Sequence, residues 1–410
     1  MNNHNTSVVS REKGGWVPRG ASSDPEGKQD DTTAGLNVMK EASFGGTLRC
    51  VIEGASSKEA VFMLHAGLDL SRKRLDYCLL DQQGDRVEVG GVPPDADGLR
   101  GFARGVEDRH GPVVVCAAIE SMNGARFVHD TLERCGWEVE VADAQKVKGL
   151  APLACKTDRI DAWVLAELSR RDLVPAIWLP AFEQRQERER ARWRLFLVRK
   201  RSSLKHRVHA QLLAFGHTCP VSDLFGVKGR MLLERLDLPD PWRGGVLAAL
   251  AMIDELDHEI GQIDRELKAL GADHRYIPLL QTVPGIAWVL GYTIAAEIGD
   301  IHRFASPTKL CGYTGLCPRV YQSGNTDRRG PLTHAGPKYL RWALMEAAIH
   351  ACRHEIYRDR YQRNKQRLGK QRGAKVAQVD IARRLAGAIW QMLSRNQPFA
   401  PAGATRALAA

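Results

Sequence analysis

Four carboxylates stand where the chemistry of a phosphodiester could be done. Asp69 follows Ala66-Gly67-Leu68, where a first apolar strand should end, and Glu120 directly follows the apolar run Val113 to Ile119. Both therefore emerge at strand ends, where no core partner is expected. Asp158 and Asp161 lie three apart in Lys156-Thr157-Asp158-Arg159-Ile160-Asp161-Ala162, a spacing that places both on one face of a helix. An all-oxygen donor set suits Mg2+ or Mn2+ and excludes zinc, which prefers nitrogen and sulfur. Two such ions roughly 4 Å apart can activate an attacking oxygen and stabilise a leaving one. Singly, each acid has a plainer reading: Asp158 as a helix N-cap, Asp161 as a solvated acid, Asp69 and Glu120 as turn acceptors. Together, in the order strand, strand, helix, they read better as a catalytic set. Asp76, Asp81, Asp85 and Asp143 read as ordinary acids in turns or on alternating faces.

A second candidate lies in the polar stretch Tyr321 to Gly330, read as a loop with glycines at 324 and 330. A serine hydroxyl such as that of Ser323 is a poor nucleophile at its free pKa and needs a base, a metal or nearby cations. Arg328 and Arg329 could stabilise charge developing at phosphorus. Lys338 and Arg341, at the start of the next helix, could position phosphates. From the loop alone a Ser-Gly pair is more often just a turn. Leu280 to Ile286 looks like a helix–hairpin–helix contact to a DNA backbone, with a simple interhelical turn almost as good a reading.

These groups need elements to hold them. Strands are expected at Val61–Leu64, Leu75–Leu80, Arg86–Val92, Val113–Ile119 and Trp137–Ala142, with helices near 97–108, 125–135 and 159–171. Three strands in a meander followed by alternating helix and strand describe a mixed α/β sheet. A long basic helix follows over about 183–215. Between Val246 and Leu270, apolar residues three or four apart form a stripe suited to a coiled coil or a helical hairpin. Dimerisation stands modestly ahead of an intramolecular pair there. The chain after Tyr276 reads as mostly helical. The expected division is 1–60 flexible extension, 61–180 α/β domain, 181–272 basic helix and coiled-coil segment, 273–398 C-terminal domain, and 399–410 tail.

The formal charge is +11, from 59 Lys+Arg against 48 Asp+Glu. It is concentrated: the stretches 183–207 and 353–375 each carry a net +7, leaving the remainder slightly acidic. Localised positive charge points to a polyanion. In the first stretch Arg192, Arg194, Arg199, Lys200, Arg201, Lys205 and Arg207 are the candidate nucleic-acid contacts, and Trp193 could stack on a base. No apolar run is long enough to span a membrane. The nine cysteines include no CxxC pair, which fits reduced thiols in a cytoplasm.

The order Gly-Leu-Asp at 67–69, Ile-Glu-Ser at 119–121 and Lys-Thr-Asp-Arg-Ile-Asp-Ala at 156–162 resembles the RuvC-type, RNase H-like DEDD domain of the insertion-sequence 110 family of transposases, relatives of the Piv/MooV invertases. Further along, Thr282-Val283-Pro284-Gly285-Ile286, Gly315-Leu316-Cys317-Pro318, Gln322-Ser323-Gly324, Arg328-Arg329-Gly330 and Gly336-Pro337-Lys338-Tyr339-Leu340-Arg341 fall in that family's order. The resemblance covers about residues 62 to 395. It implies an α/β RNase H-like domain, then a helical/coiled-coil segment and a mostly α C-terminal domain. It implies DNA strand cutting and rejoining, with the four acids as catalytic metal ligands and Ser323 as the residue joined transiently to DNA. It also implies donor and target DNA and a structured non-coding guide RNA as partners. Neither site is complete alone, so the two domains are expected to meet, with a homo-oligomer, dimer or tetramer, as the expected assembly. The rivals are a RuvC-like nuclease, a DNA invertase without guide RNA, or a non-catalytic nucleic-acid binder.

Overall fold

Alternating apolar residues build a sheet with two unlike faces. The structure is a computed structural model that describes residues 62–150, 157–324 and 326–401, without the side chains of Asp158 and Lys370. The expected extension over 1–60 and most of the tail lie outside the described residues.

Strands β1 (Met63–Leu70), β2 (Leu75–Leu80) and β3 (Arg86–Val92) form an antiparallel meander. Helix α1 (Ala96–His110) leads to β4 (Val114–Glu120), then α2 (Ala125–Glu133), β5 (Glu138–Ala142), α3 (Ala144–Leu150) and α4 (Asp158–Arg170). The strand order is β3-β2-β1-β4-β5, with β4 parallel to β1 and β5 parallel to β4. This mixed five-stranded sheet is the RNase H-like arrangement. Side chains alternate across a strand. Leu64, Ala66, Leu68 and Leu70 therefore enter one core with Leu99 and Phe102 of α1 and Val128 and Leu132 of α2. Cys78, Leu80 and Ala118 face the other way, against Ala162, Ala166, Val164 and Leu165 of α4. Helix α3 was not anticipated from the sequence.

The rest of the chain is mostly helical. Helix α5 (Phe182–Ala214) and α7 (Trp242–Ala272) pack as an antiparallel hairpin, with α6 (Val227–Arg235) at its tip. Val208 and Leu212 of α5 share a small core with Val246, Ala249 and Leu250 of α7. The apolar stripe of α7 is thus covered largely from within the chain, as the helical-hairpin reading expects. Leu247, one member of the expected stripe, is exposed.

Helices α8 (Ile277–Leu280), α9 (Trp288–Ile298) and α10 (Pro307–Tyr313) precede a two-stranded ribbon, β6 (Pro318–Ser323) and β7 (Thr326–Leu332). Then come α11 (Lys338–Ala351) and α12 (Glu355–Arg395). Within α12, Gly369 takes φ +77°. Arg360 and Asp380 would be about 30 Å apart on a straight helix, yet they pair at 2.6 Å, so the chain doubles back at Gly369. Buried α9 packs with α11, which in turn packs on α12, and Leu344, Ile381, Leu385 and Ile389 belong to the core they share.

The sheet and the helical bundle are tied together. Arg185 of α5 pairs with Asp130 of α2 at 2.6 Å, and the Arg303 guanidinium lies 3.9 Å from the centre of the Trp178 ring. No helix of the described residues is long and apolar enough to cross a membrane.

Candidate active site

Strand register brings the acids of the first domain to one place. Gly67 pairs with Ala118 and Leu68 with Ile119, so the next residues along these parallel strands, Asp69 and Glu120, stand side by side. Gly67 and Asp69 share a face of β1, as Ala118 and Glu120 do of β4, and Ala118 packs against α4. Asp69 and Glu120 are therefore on the α4 side of the sheet. The helix is seated there because residue 67 is glycine: a Cβ would lie 1.8 Å from the Ala162 carbonyl oxygen and 2.4 Å from the Ala166 nitrogen. Asp161 is the neighbour of that contact. Helix α4 begins at Asp158, and its N-cap is Thr157, whose side chain accepts from Ile160 N. The plainer reading of Asp158 as the cap is thus set aside. Its carboxylate lies outside the described residues.

Asp69, Glu120 and Asp161 are all half-buried. Their donor chemistry, oxygen only, fits Mg2+ or Mn2+. Among the described residues no three His, Cys, Asp or Glu side chains already converge on a common ion position.

One acid was passed over in the sequence. Asp76, read as ordinary, lies directly across the β1–β2 pair from Asp69 and is 8% exposed. Continuing the register, Gly91, Asp76, Asp69, Glu120 and Ala142 form one row across the five strands. The signal was the short spacing from Asp69 to Asp76 across a tight turn, which sets the two opposite each other.

The stretch around Ser323 is a β-ribbon rather than the expected loop. Ser323 ends β6 and pairs with Thr326, and Tyr321 pairs with Arg328. Gly324 takes φ +53° at the turn, a conformation that costs glycine little. Ser323 and Arg328 are exposed. Arg329, also exposed, donates to Asp327 at 2.9 Å, and that carboxylate raises its pKa. Lys338 opens α11 with its ammonium 5.1 Å from the Tyr339 ring centre.

Several expected nucleic-acid contacts have partners inside the chain. Arg192 donates twice to Glu297, at 2.8 and 3.0 Å. Glu297 is fully buried, and a buried charge needs a partner. Arg194 pairs with Asp264 and Arg201 with Asp257, both on α7. Arg341 donates to the carbonyls of Thr314, His334 and Ala335. All four are anchored within the chain by these contacts. Arg199, Lys200 and Arg207 remain exposed on α5, while Lys205 lies 4.8 Å from the Phe225 ring centre. Trp193 is 47% exposed and stacks on exposed Phe196, centroids 5.2 Å apart.

The Pro284-Gly285 turn is also shaped by close approach. Gly285 has φ +86°, and a Cβ there would lie 2.4 Å from the Ala347 carbonyl oxygen of α11. Residues 281–287 with Leu290, His350 and His354 line an open hollow of about 590 Å³.

Two family models match the chain. A DEDD transposase model, described as "Transposase", matches residues 66–216, the span of all four acids. A second, "Transposase IS116/IS110/IS902 family", matches residues 277–362, which contain Ser323. The chain is 25% identical to the transposase for insertion sequence element IS1111A of Coxiella burnetii over 337 residues, 81% of this chain and 90% of that protein. It is 27% identical to the transposase for element IS1328 of Yersinia enterocolitica over 290 residues, 69% of this chain and 84% of that one. Over 150 residues it is 32% identical to the pilin gene-inverting protein of Moraxella bovis, covering 36% and 45% of the two chains. Matched in both halves, in order, the chain belongs to the IS116/IS110/IS902 family of transposases, enzymes of DNA recombination.

Proposed function

We propose that this transposase cuts and rejoins DNA through the carboxylates Asp69, Glu120, Asp158 and Asp161 and the hydroxyl of Ser323. The observation that carries this is the row across β1 and β4, with α4 seated on Gly67 so that Asp161 borders the same end. The four acids would hold Mg2+ or Mn2+. Such ions polarise phosphate oxygens and stabilise negative charge on attacking and leaving groups.

The Ser323 oxygen attacks the scissile phosphorus. A Ser323–phosphorus bond forms as the bond to the departing DNA oxygen breaks. The hydroxyl proton leaves to solvent, and the departing oxygen takes one up. A DNA hydroxyl from the second strand then attacks the same phosphorus and loses its proton to solvent, while the Ser323–phosphorus bond breaks and the serine oxygen takes a proton up, so the phosphodiester is conserved. Exposed Arg328 stabilises charge at phosphorus, and Lys338 at the start of α11 positions a flanking phosphate. Arg199, Lys200 and Arg207 are the outward cations of α5 that meet nucleic acid.

Incubation with end-labelled DNA and Mg2+ should give a covalent protein–DNA adduct that Ser323→Ala abolishes. Free cleaved ends without adduct would instead identify a nuclease that uses the acids alone. A structured non-coding RNA partner is tested by sequencing RNA that copurifies with the protein, with nuclease treatment then abolishing site-specific joining.

A further inference from the structure

The turn between β1 and β2 carries three consecutive cations, Arg72, Lys73 and Arg74, at the end of the sheet where Asp69 and Glu120 emerge. All three are exposed. Among the described residues neither Arg72 nor Lys73 has an ion-pair partner, in contrast to much of α5.

The turn is held rigid. Ser71 N donates to the Arg74 carbonyl at 2.8 Å, Ser71 Oγ donates to the same oxygen at 2.8 Å, and Arg74 N donates to Ser71 Oγ at 3.2 Å. Arg74 is aimed as well as placed. Its Nε donates to Asp76 Oδ1 at 2.9 Å, and the Asp76 carboxylate is nearly closed off while the arginine side chain is 53% exposed. Residue 91, beside Asp76 on β3, is glycine, and a Cβ there would lie 2.1 Å from Arg74 Nε. The guanidinium occupies the space that a side chain would fill. Among the described residues its terminal nitrogens have no hydrogen-bond partner.

Carboxylates such as Asp69 and Glu120 repel a polyanion, so DNA held beside them needs cations nearby. At about 3.3 Å per strand residue the turn lies within roughly 10 Å of Asp69. That is two to three nucleotides along one strand, at about 3.4 Å per step. We propose that the Arg72-Lys73-Arg74 turn grips the phosphodiester backbone flanking the reacting phosphate, with Asp76 as the positioning residue for Arg74. This rests on the carboxylate site acting on DNA.

The test uses the full chain and a labelled mixed-sequence DNA duplex over a salt series. The double variant Arg72→Ser/Lys73→Ser should bind more weakly, and the slope of log affinity against log salt should shrink by about 1 to 2, at roughly 0.9 per phosphate contact. Arg74→Gln should shrink it by about 1, and Arg74→Lys should restore part of that loss. Asp76→Asn should weaken binding less than Arg74→Gln while leaving the Arg74 charge in place. Mn2+ binding, followed by calorimetry, should not weaken in the turn variants, since loss of nearby positive charge favours a cation. Unchanged affinity and slope in the double variant would overturn the assignment. If Asp69→Asn still cleaves and joins DNA, the failure lies instead with the carboxylate mechanism.

Discussion

Gly67 of β1 and Ala162 of α4 meet with no room for a side chain, the Cβ position of residue 67 lying 1.8 Å from the Ala162 carbonyl oxygen. The contact sets how near Asp161 comes to Asp69. Gly67→Ala should push α4 outward and cost about 1–3 kcal/mol, the range for overpacking. Urea denaturation reads the stability. Strand joining should fall further than the lost stability accounts for, because the carboxylates are displaced together.

Asp69→Asn and Ser323→Ala should separate the two halves of the chemistry. Ser323 is exposed on the ribbon, so its alanine variant should melt with the parent and still bind DNA while forming no adduct. Asp69→Asn should lose Mn2+ affinity, measured by calorimetry, together with cleavage.

The Arg192–Glu297 pair predicts an asymmetry. Glu297 is fully buried, whereas the Arg192 side chain is one-third exposed. Arg192→Met strips a buried carboxylate of its two hydrogen bonds and should cost about 3–5 kcal/mol. Glu297→Gln leaves an arginine that can reach water, and should cost less. Chemical denaturation of the two variants gives the order.

His65 lies on the α4 face of β1, its Nδ1 3.4 Å from Ser169 Oγ. Burial lowers its pKa, the nearby Arg170 charge lowers it further, and Glu167 opposes them. The unfolded chain therefore takes up this proton first as pH falls below about 6.5. Stability is full above that value and declines as pH drops toward the folded pKa. His65→Gln should flatten the stability profile below about pH 6.5.

Cys311 has its thiol pushed up to about 12, by burial first and then by the neighbouring Cys317, whose Sγ is 3.7 Å away. Thiolate is the reactive form. At pH 8, alkylation followed by peptide mass spectrometry should mark exposed Cys135 and Cys219 well before Cys311.

What could be read in the sequence followed from local period. Strands β2 and β3 and the long helix α5 stand almost where their patterns place them, and Asp69 and Glu120 lie at the ends of apolar runs. The ribbon at 318–332 reads as a loop in the sequence because both its strands are polar and exposed, so no apolar alternation marks them. Asp76 could not be assigned from type alone; only its register against Asp69 gives it meaning. The fates of Arg192, Arg194 and Arg201 depended on acids 56 to 105 residues away, beyond any local pattern. The reversal at Gly369 was likewise hidden, since a lone glycine in a helical stretch is compatible with a continuous helix.

The ladder of Arg190–Glu266, Arg194–Asp264 and Arg201–Asp257 between α5 and α7 also fixes a length. Sliding one helix by a single turn would mismatch every rung, so the hairpin behaves as a ruler of about 50 Å, from 33 residues at 1.5 Å each. Whatever meets its tip is held at a set spacing from the five-stranded sheet. Deleting matched turns from both helices would keep the rungs in step and shorten that spacing.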